Sequence, residues 1–398
     1  MALYPARAME RAMRIQEVIL RAVSGEILWS QAAEIIGTSD RSMRRWRRRY
    51  EEYGYDGLYD RRLKRPSPRR VPLVTVEKVL RLYREKYFDF NVRHFVEKLH
   101  SEHGVELSYT WVKTALQTAG LVARSRKRGK HRKKRPRRPL PGMMLHVDGS
   151  THAWLGGEAR QDLIAILDDA TSEIYYAQLV DQESTATVMA GLKEVIERKG
   201  VFCSLYSDRG SHFFYTPTAG QAPDRSHKTQ IARALQQLGI EPIAANSPQA
   251  RGRCERFFGT WQGRLPQELR LKKITTMQAA NEFLRKYWIG YHNRHFTVPA
   301  QHPGTAFVPY PGSELNKIFS HQQERVVGND NTIRVGKLCL QIQPQAFRFS
   351  MARCRVLVCQ HLDGTLSLYY GPHVLGRYNA QGEILSSVPS ARRRRKAA

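Results

Sequence analysis

A run of basic residues divides the chain and limits what it can fold into. Residues 124–138 contain eleven lysines and arginines and no acid, and Gly129 and Pro136 interrupt the run. Mutual repulsion keeps such a segment extended and outside a hydrophobic core until it lies along phosphate groups. We interpret it as a DNA-binding linker, with a nuclear-localisation run or a plain solvated linker as alternatives. On every interpretation, separate folding units precede and follow it.

The residues before this run follow a helical period. A short helix is expected to end at Gly37, and Ser39 is placed to cap the next helix. That helix carries Met43, Trp46 and Tyr50 on one apolar stripe. Its candidate DNA contacts are Arg41, Arg44, Arg45 and Arg48. A packed inner face and a basic outer face are typical of a helix-turn-helix, and a solvated basic helix is the alternative.

A second helical unit is expected after the proline-rich hinge at 65–68. Helical periodicity resumes there, breaks at Gly104 and starts again where Ser108 can cap a further helix. Two such units in tandem suit a protein that reads an extended DNA site, whereas a single unit suffices for most repressors.

Beyond Met143 the pattern changes from helices to strands. Strands are predicted at 143–148, 163–167, 174–180 and 201–206, with a helix from Ser184 to Lys199. Hairpin strands followed by a helix and another strand predict an α/β domain with a mixed sheet. Further along, Asp363-Gly364 between two strand patterns is a strong hairpin signal. It predicts a small β-barrel-like C-terminal domain.

Charge and composition limit the classes of partner that the chain is expected to bind. Lysine and arginine total 65 against 36 acids, a formal charge of +29, which favours a polyanion such as nucleic acid or an anionic membrane surface. No apolar run reaches the ~20 residues that span a bilayer, so we expect a soluble intracellular protein. The five cysteines have no C-x-x-C spacing and are expected to be reduced buried thiols.

Three carboxylates occupy informative positions in the α/β part. Asp148 ends the first strand pattern, Asp208 directly follows the strand at 201–206, and Glu255 lies on a later helix pattern. Neighbouring carboxylates disfavour one another's ionisation, whereas Mg²⁺ prefers such oxygen ligands. Two Mg²⁺ ions ~3.5–4 Å apart can activate a water or a 3′-hydroxyl for displacement at phosphorus. The three acids therefore predict metal-dependent phosphoryl transfer.

The helix that carries Glu255 has an unusual composition. It is expected to begin near Ser247-Pro248, and Gly252 and Gly259 share the face of Glu255, which leaves space for metal, water and a DNA backbone. Its apolar residues, Cys254, Phe257, Phe258 and Trp261, are expected to pack on the domain. Its arginines, Arg251, Arg253 and Arg256, are candidate phosphate contacts. A surface acid in a glycine-containing loop is the alternative.

Three sequence blocks resemble those of retroviral-integrase-like DDE transposases. They are Asp148-Gly149-Ser150, Ser207-Asp208-Arg209-Gly210 and the block 245–256. The chain looks most like the ISNCY-type insertion-sequence transposases, over about residues 20 to 310. It departs from the pattern in two ways: an inserted loop at 213–228 lengthens the interval between the last two acids, and Arg209 stands where many relatives carry asparagine.

The resemblance implies an RNase H-like core in which Asp148, Asp208 and Glu255 are catalytic and bind Mg²⁺, with Mn²⁺ as a substitute. It implies cleavage of insertion-sequence ends and transfer of the 3′-hydroxyl to target DNA, by at least a dimer on double-stranded DNA at the bacterial nucleoid. A non-catalytic transposon-derived DNA-binding regulator and a DNA nuclease without strand transfer are the alternatives. A protein that binds a membrane surface is the least supported alternative.

The predicted organisation follows from these patterns. A helix-turn-helix domain is expected at 1–65, a second helical unit at 70–123, a basic linker at 124–140, the catalytic core at 141–300, a β-rich domain at 301–390 and a basic tail at 391–398. Within the linker, the candidate DNA contacts are Lys127, Arg128, Lys133 and Lys134. Weaker polar candidates in the core are His146, His152, Trp154, His292 and Asn293, for which packing roles compete with a place in the site.

Overall fold

The computed structural model describes residues 6–59, 70–124, 135–215, 227–245 and 252–386. The chain divides into two compact units, Met1–Val79 and Leu80–Ala398. Helix α4 (Leu73–Glu85) crosses the boundary between them.

The first unit is helical. It contains α1 (Ala6–Val23), α2 (Trp29–Ile36), α3 (Asp40–Tyr53) and a short 3₁₀ segment (Gly54–Leu58). The predicted turn is confirmed, because Gly37 ends α2 in the left-handed conformation and the Ser39 hydroxyl accepts a hydrogen bond from the Ser42 amide at 3.4 Å. The apolar stripe of α3 packs against α1, with Met43 fully buried. This region is therefore a helix-turn-helix.

Two further helices open the second unit, α5 (Val92–His103) and α6 (Tyr109–Thr118). As predicted, Gly104 ends α5 in the left-handed conformation. The Ser108 hydroxyl caps α6 by accepting a hydrogen bond from the Trp111 amide at 3.2 Å. Both helices bury one apolar face, which includes Phe95, Leu99 and Val112.

A five-stranded mixed sheet forms the centre of this unit. Its strands are β1 (Leu145–His152), β2 (Gln161–Asp168), β3 (Ile174–Val180), β4 (Ser204–Ser207) and β5 (Glu241–Ala244). The spatial order is β3-β2-β1-β4-β5, with β1 antiparallel to β2, β2 antiparallel to β3, and β4 parallel to both β1 and β5. This is the arrangement of an RNase H-like sheet, as expected.

Two strand predictions need correction. β1 does not end at Asp148 but continues to His152, because its pairing with β2 extends that far. The strand predicted at 201–206 begins only at Ser204. Val201 instead pairs with Val308 in an isolated bridge, after Gly200 has turned the chain at a positive φ of 103°.

Helices cover both faces of the sheet. Leu145, Val147 and their neighbours on β2 pack against α7 (Thr185–Lys199) and α8 (Gln230–Gln237). The opposite face, which includes Leu163 and Ala165, packs against α9 (Gly252–Gln262) and the helices after it. The later helices are α10 (Leu265–Leu271), α11 (Met277–Phe283) and α12 (Ile289–His295), with a π-helical turn (Leu284–Trp288) joining α11 to α12.

The C-terminal part consists of antiparallel strands. After the short α13 (Leu315–Ile318) come β6 (His321–Val326), β7 (Thr332–Val335), β8 (Leu338–Gln341), β9 (Arg355–Gln360), β10 (Leu366–Tyr370), β11 (His373–Tyr378) and β12 (Ile384–Ser386). The predicted hairpin at Asp363-Gly364 is confirmed, since it joins β9 to β10. The sheet has the order β12-β11-β10-β9-β6 and β7 pairs with β8. Among the strands described, no pairing of β6 with β12 closes a barrel.

The C-terminal sheet is attached to the central domain through α8. The Arg233 guanidinium donates to the carbonyls of Ile318 at 3.0 Å and Ser320 at 2.8 Å. The side chain of Gln230 exchanges two hydrogen bonds with the backbone of Gln322. Within the described ranges, the chain contains no helix with the length and apolarity that crossing a membrane requires.

Candidate active site

Asp148 lies on β1, and Asp208 directly follows the neighbouring parallel strand β4. The pairing of β1 with β4 matches Leu145 with Leu205 and His146 with Tyr206, and Asp148 and Asp208 each follow the last of these pairs by two residues. Adjacent strands are about 4.8 Å apart, and residues two apart share a face of the sheet. If this register continued past the end of β4, the two aspartates would face the same side of the sheet.

That face is the one on which α9 packs. Four apolar residues of α9 are buried against the sheet, namely Cys254, Phe257, Phe258 and Trp261, as predicted. Glu255 and Arg256 are exposed. The Gln262 amide at the end of α9 donates to the Ser150 hydroxyl at 3.0 Å. Residues 246–251, which include the predicted start at Ser247-Pro248 and the candidate Arg251, lie outside the described residues.

The glycines of α9 leave open space beside Glu255. A Cβ atom built on Gly252 or on Gly259 meets no heavy atom within 4 Å. Both residues lie on the face of Glu255 by their helical spacing. The prediction that this face has room for metal, water or a DNA backbone agrees with this local geometry.

The donor set suits magnesium only in part. Within the described ranges, no three side chains of histidine, cysteine, aspartate or glutamate form a group that could hold a metal ion. Mg²⁺, however, is commonly bound by one or two carboxylates, with waters and substrate phosphates completing the shell. Asp148, Asp208 and Glu255 are all described residues, so the structure does not gather the predicted triad into such a group. They are the carboxylates that would hold the ion if it bound in this way.

A further carboxylate, Glu183, lies on the other side of β1. A methyl group built on Gly149 would overlap the Glu183 carboxylate. Burial raises the pKa of Glu183, and the charges of Asp208 and Asp162 raise this pKa further. Its position next to the aspartate pair has no counterpart among the residues predicted from the sequence.

Another buried acid, Asp169, is the centre of a polar network. Its carboxylate accepts hydrogen bonds from His146 Nε2 at 2.7 Å, Arg135 Nη2 at 2.5 Å, the Arg138 amide at 2.7 Å and the guanidinium of Arg253. Burial raises the pKa of Asp169, but the His146 hydrogen bond and the other donors outweigh it and hold this pKa at about 2. Burial lowers the pKa of His146 and outweighs the Asp169 carboxylate, which raises it.

The weaker polar candidates have structural partners. Trp154 is fully buried and donates to the Ser150 carbonyl at 3.0 Å, so it packs in the core. His292 accepts a hydrogen bond from the Trp261 indole at 2.9 Å. Asn293 exchanges two hydrogen bonds with the backbone of Ile174 and thereby covers the edge strand β3. His152 lies with its ring against that of Trp154.

The candidate DNA contacts fall into three groups. On α3, all four candidates are exposed, namely Arg41, Arg44, Arg45 and Arg48. In the basic linker, the candidates Lys127, Arg128, Lys133 and Lys134 lie outside the described residues. On α9, Arg256 is exposed, whereas the Arg253 side chain is only 17% exposed and is paired with Asp169.

Comparisons with known families agree with the helix-turn-helix assignment. The model of a helix-turn-helix domain matches residues 16–67, and the model of a homeodomain-like domain matches residues 42–116. The two matches overlap and extend into the second helical region.

Solved structures that resemble the chain include viral integrases. The catalytic core domain of HTLV-2 integrase in complex with magnesium is 14% identical, with 37% of this chain and 89% of that chain covered and a TM-score of 0.27. A simian T-cell lymphotropic virus intasome in complex with the PP2A regulatory subunit B56 gamma is 12% identical, with 78% and 99% covered and a TM-score of 0.33.

Two sequence relatives match most of the chain. A putative transposase of Sinorhizobium fredii is 29% identical over 373 residues, which cover 92% of this chain and 80% of the relative. The transposase for insertion sequence IS1202 of Streptococcus pneumoniae is 27% identical over 387 residues, which cover 88% and 83%. Both matches agree with the resemblance to transposases stated from the three sequence blocks, and the chain is similar to transposases along most of its length.

Proposed function

We propose that this chain is a DDE transposase that binds insertion-sequence ends, cleaves DNA and transfers the 3′-hydroxyl to target DNA. The observation that carries the proposal is the parallel pairing of β1, which bears Asp148, with β4, which Asp208 directly follows, in the sheet on which α9, the helix of Glu255, packs. Similarity to transposases over about nine-tenths of the chain supports it.

In this proposal the three acids bind divalent metal, Mg²⁺ or Mn²⁺. When bound, the metal supplies charge stabilisation at phosphorus and activates the attacking oxygen. The aspartates approach from the sheet, and Glu255 approaches from α9. Gly252 and Gly259 leave room for the DNA backbone beside Glu255, and the exposed Arg256 offers a charge-assisted contact to phosphate.

DNA binding starts from the helix-turn-helix. The exposed arginines of α3 are the proposed contacts to the element end, and the second helical unit and the basic linker extend the bound site. We further propose that at least two protomers act together, because joining two element ends requires both ends in one complex. The site of action is then the bacterial nucleoid.

The test uses the full chain with Mg²⁺ and two DNA substrates. One carries an intact element end with flanking DNA, and the other is pre-cut to expose the 3′-hydroxyl. We expect cleavage of the first substrate and joining of the second to target DNA. Asp208→Asn should abolish both reactions and preserve binding, whereas Asp181→Asn, the same change at an exposed position after β3, should preserve all three.

The outcomes separate the alternatives. Cleavage without joined products from the pre-cut end identifies a nuclease. Binding without either reaction in the wild-type chain identifies a non-catalytic regulator. Full activity of Asp208→Asn rejects the assigned site.

A further inference from the structure

The inference concerns how α9 is held at its first turn. Arg253, the second residue of α9, forms an ion pair with Asp169, and its other terminal nitrogen donates to the Arg135 carbonyl at 2.9 Å. Asp169 is completely buried in the turn after β2. The start of α9 is therefore attached to a fixed point of the sheet through a charged contact that is shielded from water.

Asp169 is itself fixed by its neighbours. Its amide donates to the Met144 carbonyl at 3.0 Å, next to the start of β1, and its carboxylate contacts His146 on that strand. The Arg137 guanidinium donates to the Asp169 carbonyl at 2.9 Å and to the Ser172 hydroxyl at 2.9 Å. The ion pair thus connects α9 to β1 itself rather than to a loose loop.

The two polar attachments of α9 lie on either side of Asp148. At its start, Arg253 reaches the Asp169 carboxylate that also contacts His146. At its end, Gln262 contacts Ser150. His146, Asp148 and Ser150 are alternate residues of β1 and share one face. Glu255 follows Arg253 by two residues, so the ion pair constrains the part of α9 that carries it.

We propose that Asp169 is a positioning residue that acts through Arg253 to fix the first turn of α9 and thereby the placement of Glu255 relative to Asp148. The inference rests on the proposed function of the three acids. It reassigns Arg253, which the sequence made a candidate phosphate contact, to an internal ion pair. Arg256, exposed on the same helix, keeps its candidate role at DNA.

The first measurement requires no metal and no DNA. In hydrogen exchange of the full chain, the amides of residues 256–258 report on the first turn of α9, because helical amides bond to the carbonyls four residues before them. We expect them to be protected in the wild-type chain. Arg253→Met should speed their exchange at least about tenfold while α7 is unchanged, and Arg253→Lys should lie between the two.

The second measurement is the dissociation constant for Mn²⁺ alone, with Arg253→Met placed in two backgrounds. In the wild-type background we expect weakening of about tenfold or more, the size typical of losing an outer-shell partner of a metal ligand. In the Glu255→Gln background the same change should add nothing, because the effect passes through Glu255. Lys286→Met, which removes one exposed ion pair of the π-helical turn, is the matched control and should leave the constant unchanged.

Several results would overturn the inference. They are unprotected amides at 256–258 in the wild-type chain, faster exchange throughout the chain in Arg253→Met, or equal weakening of Mn²⁺ binding in both backgrounds. If Arg253→Met leaves the Mn²⁺ affinity unchanged but makes DNA binding weaker and less dependent on salt, Arg253 is a phosphate contact instead. If Arg253→Met does not fold, the test rests on hydrogen exchange at residues 256–258 in the wild-type chain and in Arg253→Lys. Equal exchange in these two chains would then overturn the inference. Failure of this inference would not contradict the proposed function. The proposed function is contradicted only if Asp208→Asn remains active.

Discussion

The imidazole of His94 on α5 lies 2.8 Å from the carboxylate of Glu268 on α10, and both side chains are buried. Lys98, one turn further along α5, also reaches Glu268 at 2.8 Å. Arg264 forms two hydrogen bonds with Glu97, and Asn91 donates to the Gly263 carbonyl at 2.7 Å. The second helical unit is therefore joined to the helices of the central domain by polar contacts, of which the His94–Glu268 pair is buried.

Removing the charge of Glu268 should destabilise this interface. E268Q removes the buried carboxylate that contacts His94 and Lys98, although Lys98 keeps Glu102 as a partner at 2.9 Å. Breaking one side of a buried pair typically costs about 3–5 kcal/mol, and the retained partner should hold the cost near the lower end. We expect a lower unfolding midpoint of the unit Leu80–Ala398 in calorimetry of the full chain. E282Q, which breaks an exposed pair with Lys286, is the control and should cost at most about 1 kcal/mol. Equal effects of the two variants would contradict the prediction.

Stability should also fall on acidification because of His292. Burial lowers the pKa of His292 to about 4, whereas an exposed histidine titrates near about 6.5. Between these values the unfolded chain binds a proton that the folded chain does not, so stability is lost as pH falls through this window. The expected slope from this residue is up to about 1.4 kcal/mol per pH unit.

The variant H292Q isolates that contribution. Glutamine keeps an acceptor for the Trp261 indole but has no proton to bind in this range. Denaturant unfolding at a series of pH values should therefore show a shallower decline for H292Q than for the wild-type chain. Parallel curves would mean that other groups control the acid sensitivity.

Replacing Gly259 should separate stability from activity. Alanine fits without contact at this exposed helical position, and it stabilises a helix interior by roughly 1 kcal/mol relative to glycine. If the space beside Glu255 is used by DNA or metal-bound water, G259A should raise the unfolding midpoint and lower the cleavage rate. Higher stability with unchanged cleavage of element-end DNA would show that the glycine serves no purpose in the reaction.

The basic face of α3 should govern the salt dependence of DNA binding. If Arg45 contacts a phosphate, R45A should reduce the slope of log affinity against log salt by about 0.9. The matched control is R47A on the same helix, since Arg47 is paired with Glu51 at 2.7 Å and lies over the Trp29 ring. Fluorescence anisotropy with element-end DNA at several salt concentrations measures both. Identical slopes for R45A and the wild-type chain would mean that Arg45 does not contact a phosphate.

Local patterns predicted much of the fold because they depend on near neighbours. The caps at Ser39 and Ser108, the turns at Gly37 and Gly104 and the hairpin at Asp363-Gly364 all follow from short-range backbone chemistry. The boundaries of β1 and β4 were less predictable, since pairing with distant strands determines where each one ends.

In the candidate site, too, local patterns were predictable from the sequence and long-range contacts were not. The positions of Asp148 and Asp208 at the ends of apolar strand patterns suggested that they lie together. The register of β1 with β4 covers only residues before them, so this stays a prediction. The roles of Asp168 and Asp169 could not be told apart from sequence. Asp168 forms the turn by accepting from the amides of Ala170 and Thr171, whereas Asp169 receives side chains that approach from 34 residues before it and 84 after it.

The contacts between α5 and α10 have a consequence for how this part of the chain can move. For α5 to separate from α10, Glu268 would have to give up His94 and Lys98, and Arg264, just before α10, would have to give up Glu97. Because the carboxylate of Glu268 is buried, its separation from these partners is costly. We therefore expect α5 and α10 to reorient together, as one piece, whenever either of them moves.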